Sequence, residues 1–130
     1  MDAGFKAHIL PTLTVNNALA AITFYQQAFG AQLLTSNTAD GHTVGVLAIE
    51  EAQFVVADES PANGTVGPDK QNGVSIRIGL MVSDPDAVAN RAVEAGITTV
   101  YPVADQDYGY RLGCFIDPFG HHWEIGKPLF

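Results

Sequence analysis

Cysteine, basic residues and long apolar runs are scarce in this chain of 130 residues, and each scarcity narrows the class of protein. Cys114 is the single cysteine, which excludes an internal disulfide and fits a reducing compartment. Only 6 Lys and Arg stand against 14 Asp and Glu, and the net charge of −8 disfavours nucleic acid and anionic membranes as partners. No apolar run reaches membrane-spanning length, and residues 1–7 lack the apolar core of a targeting signal. We therefore expect a cytoplasmic protein with no nucleic-acid or membrane partner.

Motifs of common catalytic sites are missing as well. The sequence has no Gly-x-Ser-x-Gly nucleophile elbow and no glycine-rich loop placed before a helix to hold phosphates. The lone Cys114 has no evident partner base. The motifs therefore leave open whether the protein is an enzyme.

The chain contains one pattern twice. Residues 13–17, Leu-Thr-Val-Asn-Asn, lead into an alanine-rich stretch that ends at Gly30, and residues 80–84, Leu-Met-Val-Ser-Asp, lead into another that ends at Gly96. The two copies are offset by nearly the same number of residues at both points. Such a repeat indicates a duplicated module, and the seam between two modules is a natural place for a small-molecule site.

Each copy predicts a strand, a helix and three further strands. In the first copy, apolar and polar side chains alternate over residues 8–15, and Asn16 or Asn17 caps the helix that follows. In the second copy, residues 75–82 alternate strictly and Asp84 begins a helix. The remaining strands are predicted at 31–35, 43–50, 52–58, 98–102, 112–116 and 122–125.

This order of elements predicts an α+β fold in a single domain. One βαβββ module covers about residues 8–58 and the other about 74–130. The linker between them, residues 59–73, is rich in Pro, Gly and Asn.

Three short motifs carry a family resemblance. A Leu-x-Val strand precedes a capped helix that contains Phe24-Tyr25 and ends in residues 29–31, Phe-Gly-Ala. Residues 108–111, Tyr-Gly-Tyr-Arg, and 117–124, Asp-Pro-Phe-Gly-His-His-Trp-Glu, lie in the second module. Together they resemble the vicinal-oxygen-chelate superfamily, which includes glyoxalase I, extradiol dioxygenases and bleomycin-resistance proteins, and more narrowly the small bacterial glyoxalase-like proteins. The resemblance implies a cupped mixed sheet with helices outside, and a homodimer.

Metal-binding members of that superfamily take four ligands from the first and fourth strands of the two modules. The resemblance places these positions at Leu10, at or near Val55, at Arg77 and at Glu124. Only Glu124 can bind a cation, because the first two side chains lack donor atoms and Arg77 is itself a permanent cation. We therefore expect no metal and no other cofactor.

Two alternatives stay open at these positions. His8 shares a strand face with Leu10, and His122 shares one with Glu124, so His8, His122 and Glu124 are a second candidate metal site. The resemblance also makes Arg77 and Glu124 neighbours. They could form a buried ion pair retained for stability, or Arg77 could bind a ligand carboxylate while Glu124 binds a cationic or donor group.

The cleft between the modules is expected to hold an apolar or planar small molecule. Trp123 alternates with Glu124 and is expected in the core. His42 and His121 are expected to be ordinary polar residues at strand ends. The predicted ligand-binding residues are Leu10, Thr12, Val55, Arg77, Met81 and Glu124, with Tyr108 and Tyr110 as a lid.

Three functions remain open. The first is a metal-free protein that binds an apolar or planar molecule, with antibiotic binding or sequestration as one form. The second is a metal-dependent lyase, isomerase or dioxygenase with an unrecognised ligand set, in which Glu124 abstracts a proton. The third is a non-catalytic, dimeric interaction protein, which a structure without a cavity between the modules would favour.

Overall fold

The computed structural model describes residues 4–69 and 72–130. These residues form two α-helices and two four-stranded sheets. Residues 70 and 71 of the predicted linker lie outside the described ranges. Each module runs strand, helix, strand, strand, strand, which confirms the predicted α+β fold with two βαβββ modules. The elements are β1 (Thr12–Val15), α1 (Ala18–Phe29), β2 (Gln32–Ala39), β3 (His42–Ile49), β4 (Ala52–Asp58), β5 (Arg77–Met81), α2 (Pro85–Ala95), β6 (Thr98–Asp105), β7 (Tyr110–Ile116) and β8 (His122–Pro128).

Each sheet places the first and last strands of its module side by side. The strand orders are β1-β4-β3-β2 and β5-β8-β7-β6. The pairs β1–β4 and β5–β8 are parallel, and the other neighbours are antiparallel. In the described ranges each module forms its own four-stranded mixed sheet, and no ladder joins β1 to β5.

Both helices begin at a side-chain cap and end at a left-handed glycine. Asn17 Oδ1 accepts a hydrogen bond of 3.1 Å from a backbone N–H of the first turn of α1, and Gly30 ends that helix with φ of 66°. Asp84 caps α2 and Gly96 ends it. The predicted ends of both helices are confirmed. Within residues 4–69 and 72–130, neither helix has the length and apolar character needed to cross a membrane.

One aromatic core joins the two modules. Tyr25 and Phe29 of α1 contact Trp123 of β8, with ring centroids 5.6 and 4.7 Å apart, and Phe54 of β4 lies 5.8 Å from the same ring. All four side chains are buried, which confirms the core position predicted for Trp123. Burial of each such ring stabilises the fold by about 2 kcal/mol. The packing of each module therefore depends on the other.

The first strand is shorter than the sequence pattern predicts. β1 begins at Thr12 rather than at residue 8, because Pro11 has no N–H to donate to a ladder. The Pro11 carbonyl still accepts a hydrogen bond of 2.8 Å from Val55 N–H. Ile9, an apolar residue of the alternating stretch, is 92% exposed. The strand pattern therefore fails N-terminal to the proline.

Candidate functional site

Each sheet packs one face against the helices and leaves its other face open. On the second sheet, Arg77 of β5 and His122 of β8 are directly opposite each other on the open face. The next row of that face places a carboxylate, a thiol and a phenol side by side. From β5 to β6 this row consists of Gly79, Glu124, Cys114 and Tyr101.

Arg77 and Glu124 form an ion pair that is largely exposed. Their closest atoms, Nε and Oε1, are 3.4 Å apart, and no hydrogen bond joins the two side chains. The Arg77 side chain is 65% exposed and the Glu124 side chain is 25% exposed. Exposed ion pairs contribute about 0 to 1 kcal/mol to stability, so this is not a buried pair retained to hold the fold together.

Cys114 and Tyr101 are protonated neighbours of this pair. Burial, followed by the nearby Glu124 carboxylate, raises the pKa of the Cys114 thiol. Burial also raises the pKa of the Tyr101 phenol, with Cys114 as the next cause. Because the thiolate is the reactive form of cysteine, Cys114 is poorly suited to act as a nucleophile at neutral pH.

A cavity of about 380 Å³, the seam cavity, lies where the two modules and the linker meet. Its volume is in the range of small-molecule sites. The first module contributes β1, the second contributes β5 and the turn before β8, and the linker closes one side. Among the lining residues are Thr12, Leu13, Val66, Val74, Ile78 and His121, most of them apolar.

A second pocket of about 350 Å³, the polar pocket, adjoins the seam cavity. Arg77, His122 and Glu124 line it on the open face of the second sheet. Val74 and Ser75 line both spaces. An apolar compartment and a charged compartment are therefore neighbours at the end of the linker.

The structure divides the predicted ligand-binding residues among several places. Thr12 lines the seam cavity, whereas Val55, opposite Thr12 in the β1–β4 ladder, is not part of the lining. Arg77 and Glu124 come together in the polar pocket. Within residues 4–69 and 72–130, neither the seam cavity nor the polar pocket is lined by all of these residues.

Four further predicted residues lie away from both spaces. Leu10 precedes β1 and lines neither the seam cavity nor the polar pocket, and Met81 lies beside a third pocket at the other end of β5. Tyr108 and Tyr110 contact each other, and the Tyr110 ring packs edge-on against Phe130 at 5.5 Å. In the single chain Tyr110 therefore packs on Phe130, and neither Tyr108 nor Tyr110 lines the seam cavity.

The metal positions implied by the resemblance do not fit a divalent ion. Two of them hold aliphatic side chains, the third holds Arg77, and Glu124 alone offers a donor. Across the described ranges, no three His, Cys, Asp or Glu side chains form a group that could hold an ion, so His8, His122 and Glu124 do not converge. His8 is exposed, with Nδ1 3.3 Å from the Lys6 carbonyl.

Asp117 is a buried carboxylate that the sequence presents only as the first residue of the 117–124 motif. It is 2% exposed, and its Oδ2 accepts hydrogen bonds from the Tyr25 hydroxyl and from Trp123 Nε1. Its Oδ1 accepts bonds of 2.9 and 3.0 Å from the backbone N–H groups of Phe119 and His121. An Asp at the start of an Asp-Pro-x-Gly turn signals the backbone bonds. Tyr25 lies 92 residues away in sequence, so no local signal indicates that contact.

His121 lies at the seam and is not the ordinary strand-end residue that the sequence suggests. Its Nε2 is 2.8 Å from the Thr14 carbonyl oxygen, and the side chain lines the seam cavity. The contact is a hydrogen bond when Nε2 carries the proton. Asp117 and His121 together hold the last turn of the second module against α1 and β1 of the first.

Comparison with known proteins places the chain in one superfamily. The family described as Glyoxalase/Bleomycin resistance protein/Dioxygenase superfamily matches residues 7–125. An uncharacterized protein of Mycobacterium bovis is 37% identical over 134 residues, covering 99% of this chain and 88% of the relative. The crystal structure of TioX from Micromonospora sp. ML1 (26% identity, TM-score 0.71) and the X-ray structure of an Arabidopsis thaliana gene product (28%, 0.75) are similar over 95% of this chain and 100% of theirs. The chain therefore belongs to the glyoxalase/bleomycin resistance protein/dioxygenase superfamily.

Proposed function

We propose that this protein binds a small apolar or planar molecule in the seam cavity without a metal ion, with antibiotic binding or sequestration as its role. The observation that supports this most strongly is the seam cavity itself, about 380 Å³ in volume, mostly apolar and built from both modules. Members of the superfamily bind small molecules, and its description includes bleomycin resistance proteins. The proposed setting is the cytoplasm, because the lone cysteine fits a reducing compartment.

We also infer a homodimer in which a second copy covers the open face of the first sheet. That face presents Val44, Val46 and Val55 to solvent, and Val44 is 36% exposed. Superfamily members often act as dimers. Light scattering should give twice the chain mass of 13.8 kDa, and Val44→Glu should give the monomer mass. A wild-type monomer would contradict this assembly.

A lyase or isomerase that uses Glu124 as a base is the second candidate function. The Glu124 carboxylate is partly exposed in the polar pocket, so a proton of a molecule bound there can reach it. The donor set around it does not fit a metal, so no step through a metal is assigned. The third candidate, an interaction protein with an occluded seam, is disfavoured by the cavity at that seam.

A fluorescence titration with the neutral apolar probe N-phenyl-1-naphthylamine, in buffer containing EDTA, tests the proposed function. We expect saturable binding of one probe per chain. Thr12→Trp should remove this binding because the larger ring fills the seam cavity. Thr23→Trp is the matched control, since Thr23 is an exposed residue of α1 outside both the cavity lining and the open face of the first sheet, and it should bind like wild type.

Two results would favour other functions. Probe binding that requires an added divalent ion, or that survives Thr12→Trp, would contradict metal-free binding in the seam cavity. Stoichiometric metal in the purified protein, together with a turnover lost in Glu124→Gln, would favour the lyase or isomerase.

A further inference from the structure

Two arginines of the second module differ in how fully their guanidinium groups are satisfied. Arg111 forms two hydrogen bonds to Asp86, of 2.9 and 2.8 Å, and a third of 3.0 Å to Asp105, so each of its three nitrogens is engaged. Among the residues that the structure describes, Arg77 has only the 3.4 Å approach to Glu124. A guanidinium carries five N–H donors. Arg77 therefore has donors left for a ligand.

Gly79 leaves open space beside Glu124 on the same face. It pairs directly with Glu124 across the β5–β8 ladder, and its φ is not positive, so the backbone does not require glycine there. An added Cβ would meet only Met81 Cε, at an ordinary 3.7 Å. Glycine inside a strand costs stability and often marks a place where a ligand approaches closely. Neither backbone nor packing explains this glycine, whereas a ligand beside Glu124 does.

The two charges of the polar pocket restrict the head group that fits it. A bare anion at Arg77 would lie beside the Glu124 carboxylate in a chain of net charge −8, and a bare cation at Glu124 would face Arg77. A zwitterionic head offers each side chain its opposite charge. Ser75 and His122 supply further hydrogen-bonding groups in the same pocket.

The apolar part of such a molecule has a place within reach. Val74 and Ser75 line both the polar pocket and the seam cavity, so the two spaces meet at these residues. A molecule with its head in the polar pocket would reach the seam cavity by passing over them. The two spaces have volumes of about 350 and 380 Å³. Together they fit an amphiphile larger than either space would hold alone.

We propose that the ligand is an apolar or planar molecule with a zwitterionic head, whose carboxylate binds Arg77 and whose ammonium group binds Glu124 in the space left by Gly79. The proposal rests on the proposed function, because the body of the ligand occupies the seam cavity. An α-amino acid with a large planar side chain is the simplest member of this class.

Three probes that share one apolar body test the head group. They are 3-(2-naphthyl)-L-alanine, which is zwitterionic, 3-(2-naphthyl)propionate, which has only the acid, and 2-(2-naphthyl)ethylamine, which has only the amine. We expect the zwitterion to bind wild-type protein about tenfold more tightly than either analogue, since each lost partner removes a charge-assisted hydrogen bond.

Substitutions then assign each half of the head to its partner. Arg77→Gln should lower the affinity for 3-(2-naphthyl)-L-alanine to that of the amine analogue for wild-type protein. Glu124→Gln should lower it to that of the acid analogue. Gly79→Val should weaken the amino acid while leaving N-phenyl-1-naphthylamine binding unchanged. Arg111→Gln is the matched control, because its guanidinium lies outside both spaces, and it should leave every affinity unchanged. Circular dichroism of each variant establishes that it is folded.

The outcomes separate this proposal from the proposed function. If N-phenyl-1-naphthylamine binds and Thr12→Trp blocks it, but the amino acid binds no better than its analogues, the head-group proposal is overturned and seam binding stands. A preference for the amino acid that survives both Arg77→Gln and Glu124→Gln also overturns it. If neither the neutral probe nor the naphthyl series binds, both proposals fail together.

Discussion

The two modules share a strand order and a helix position but differ in the chemistry of their open faces. Strands β1 to β4 place no Asp, Glu, Lys or Arg on the open face of the first sheet, which presents valine, threonine and amide side chains such as Gln53 instead. The second sheet presents Arg77 and Glu124 beside a buried thiol. The helix-facing sides remain alike because they supply one shared core. The two modules therefore share their packing, while their chemistry differs on the faces that packing leaves free.

The last turns of the two modules differ as well. The first module connects β3 to β4 through the exposed pair Glu50 and Glu51, whereas the second connects β7 to β8 through the buried Asp117. We expect Asp117→Asn to lower the free energy of unfolding by about 3 kcal/mol, because the amide loses the charge and turns a donor toward Tyr25 or Trp123. Urea denaturation measures this loss.

The same acid-to-amide change in the first module is the control for that prediction. Glu50→Gln should change the unfolding free energy by less than about 0.5 kcal/mol, since the side chain is exposed. Equal effects at Glu50 and Asp117 would refute the special role of the second turn.

Tyr25 carries the contact between the modules and makes it sensitive to alkali. Burial, followed by the Asp117 carboxylate, raises the pKa of Tyr25 well above its ordinary value of 10.0. The phenol therefore contributes its full stability below pH 10.0, and loses it as pH rises from there toward the raised pKa, because the unfolded chain releases the proton first.

Replacement of that hydroxyl gives the matching measurement. Tyr25→Phe should cost about 2 kcal/mol at pH 7, and the difference from wild type should shrink above pH 10. Tyr108→Phe, at an exposed ring, should follow the wild-type pH profile. A difference between wild type and Tyr25→Phe that stays constant to pH 11 would contradict the raised pKa.

Two strand glycines of the second module separate packing from function. A Cβ at Gly113 would lie 2.6 Å from the Val103 backbone nitrogen, so Gly113→Ala should destabilise the protein by about 2 kcal/mol. Gly79→Ala meets only an ordinary contact, so it should stabilise the protein by about 0.5 kcal/mol. Thermal denaturation of both variants measures the contrast. Destabilisation by Gly79→Ala would show that packing explains that glycine after all.

The smallest predicted effect concerns the ion pair. Arg77→Gln and Glu124→Gln should each change the unfolding free energy by less than about 1 kcal/mol, because the pair is exposed and lacks a hydrogen bond. Urea denaturation at low and high salt measures this. A decrease of about 3 kcal/mol or more in the unfolding free energy, as is typical when a buried pair is broken, would show that the pair stabilises the fold.

The sequence predicts most of the fold because the deciding signals are local. Asn17 and Asp84 cap their helices through neighbouring residues, Gly30 and Gly96 end them, and the alternation of Trp123 with Glu124 assigns each to a face. Each of these features depends on a few adjacent residues, so it can be predicted from a single sequence.

The site is predicted only in part because its deciding contacts are distant. The pairing of Arg77 with Glu124 follows from the resemblance, but the exposure of Arg77 depends on what lies above the open face. Leu10 lines neither the seam cavity nor the polar pocket because Pro11 ends the ladder, and Tyr110 packs on Phe130. The spacing of neighbouring residues in the sequence predicts none of these three placements.

Binding in the seam cavity is tested most directly by an amide NMR titration of the chelator-treated protein with N-phenyl-1-naphthylamine. We predict that the largest shift changes occur at Thr12, Val74, Ile78 and His121, which surround the seam cavity. Changes centred on Tyr108, Tyr110 and Phe130, or changes that appear only after a divalent ion is added, would contradict metal-free binding between the modules.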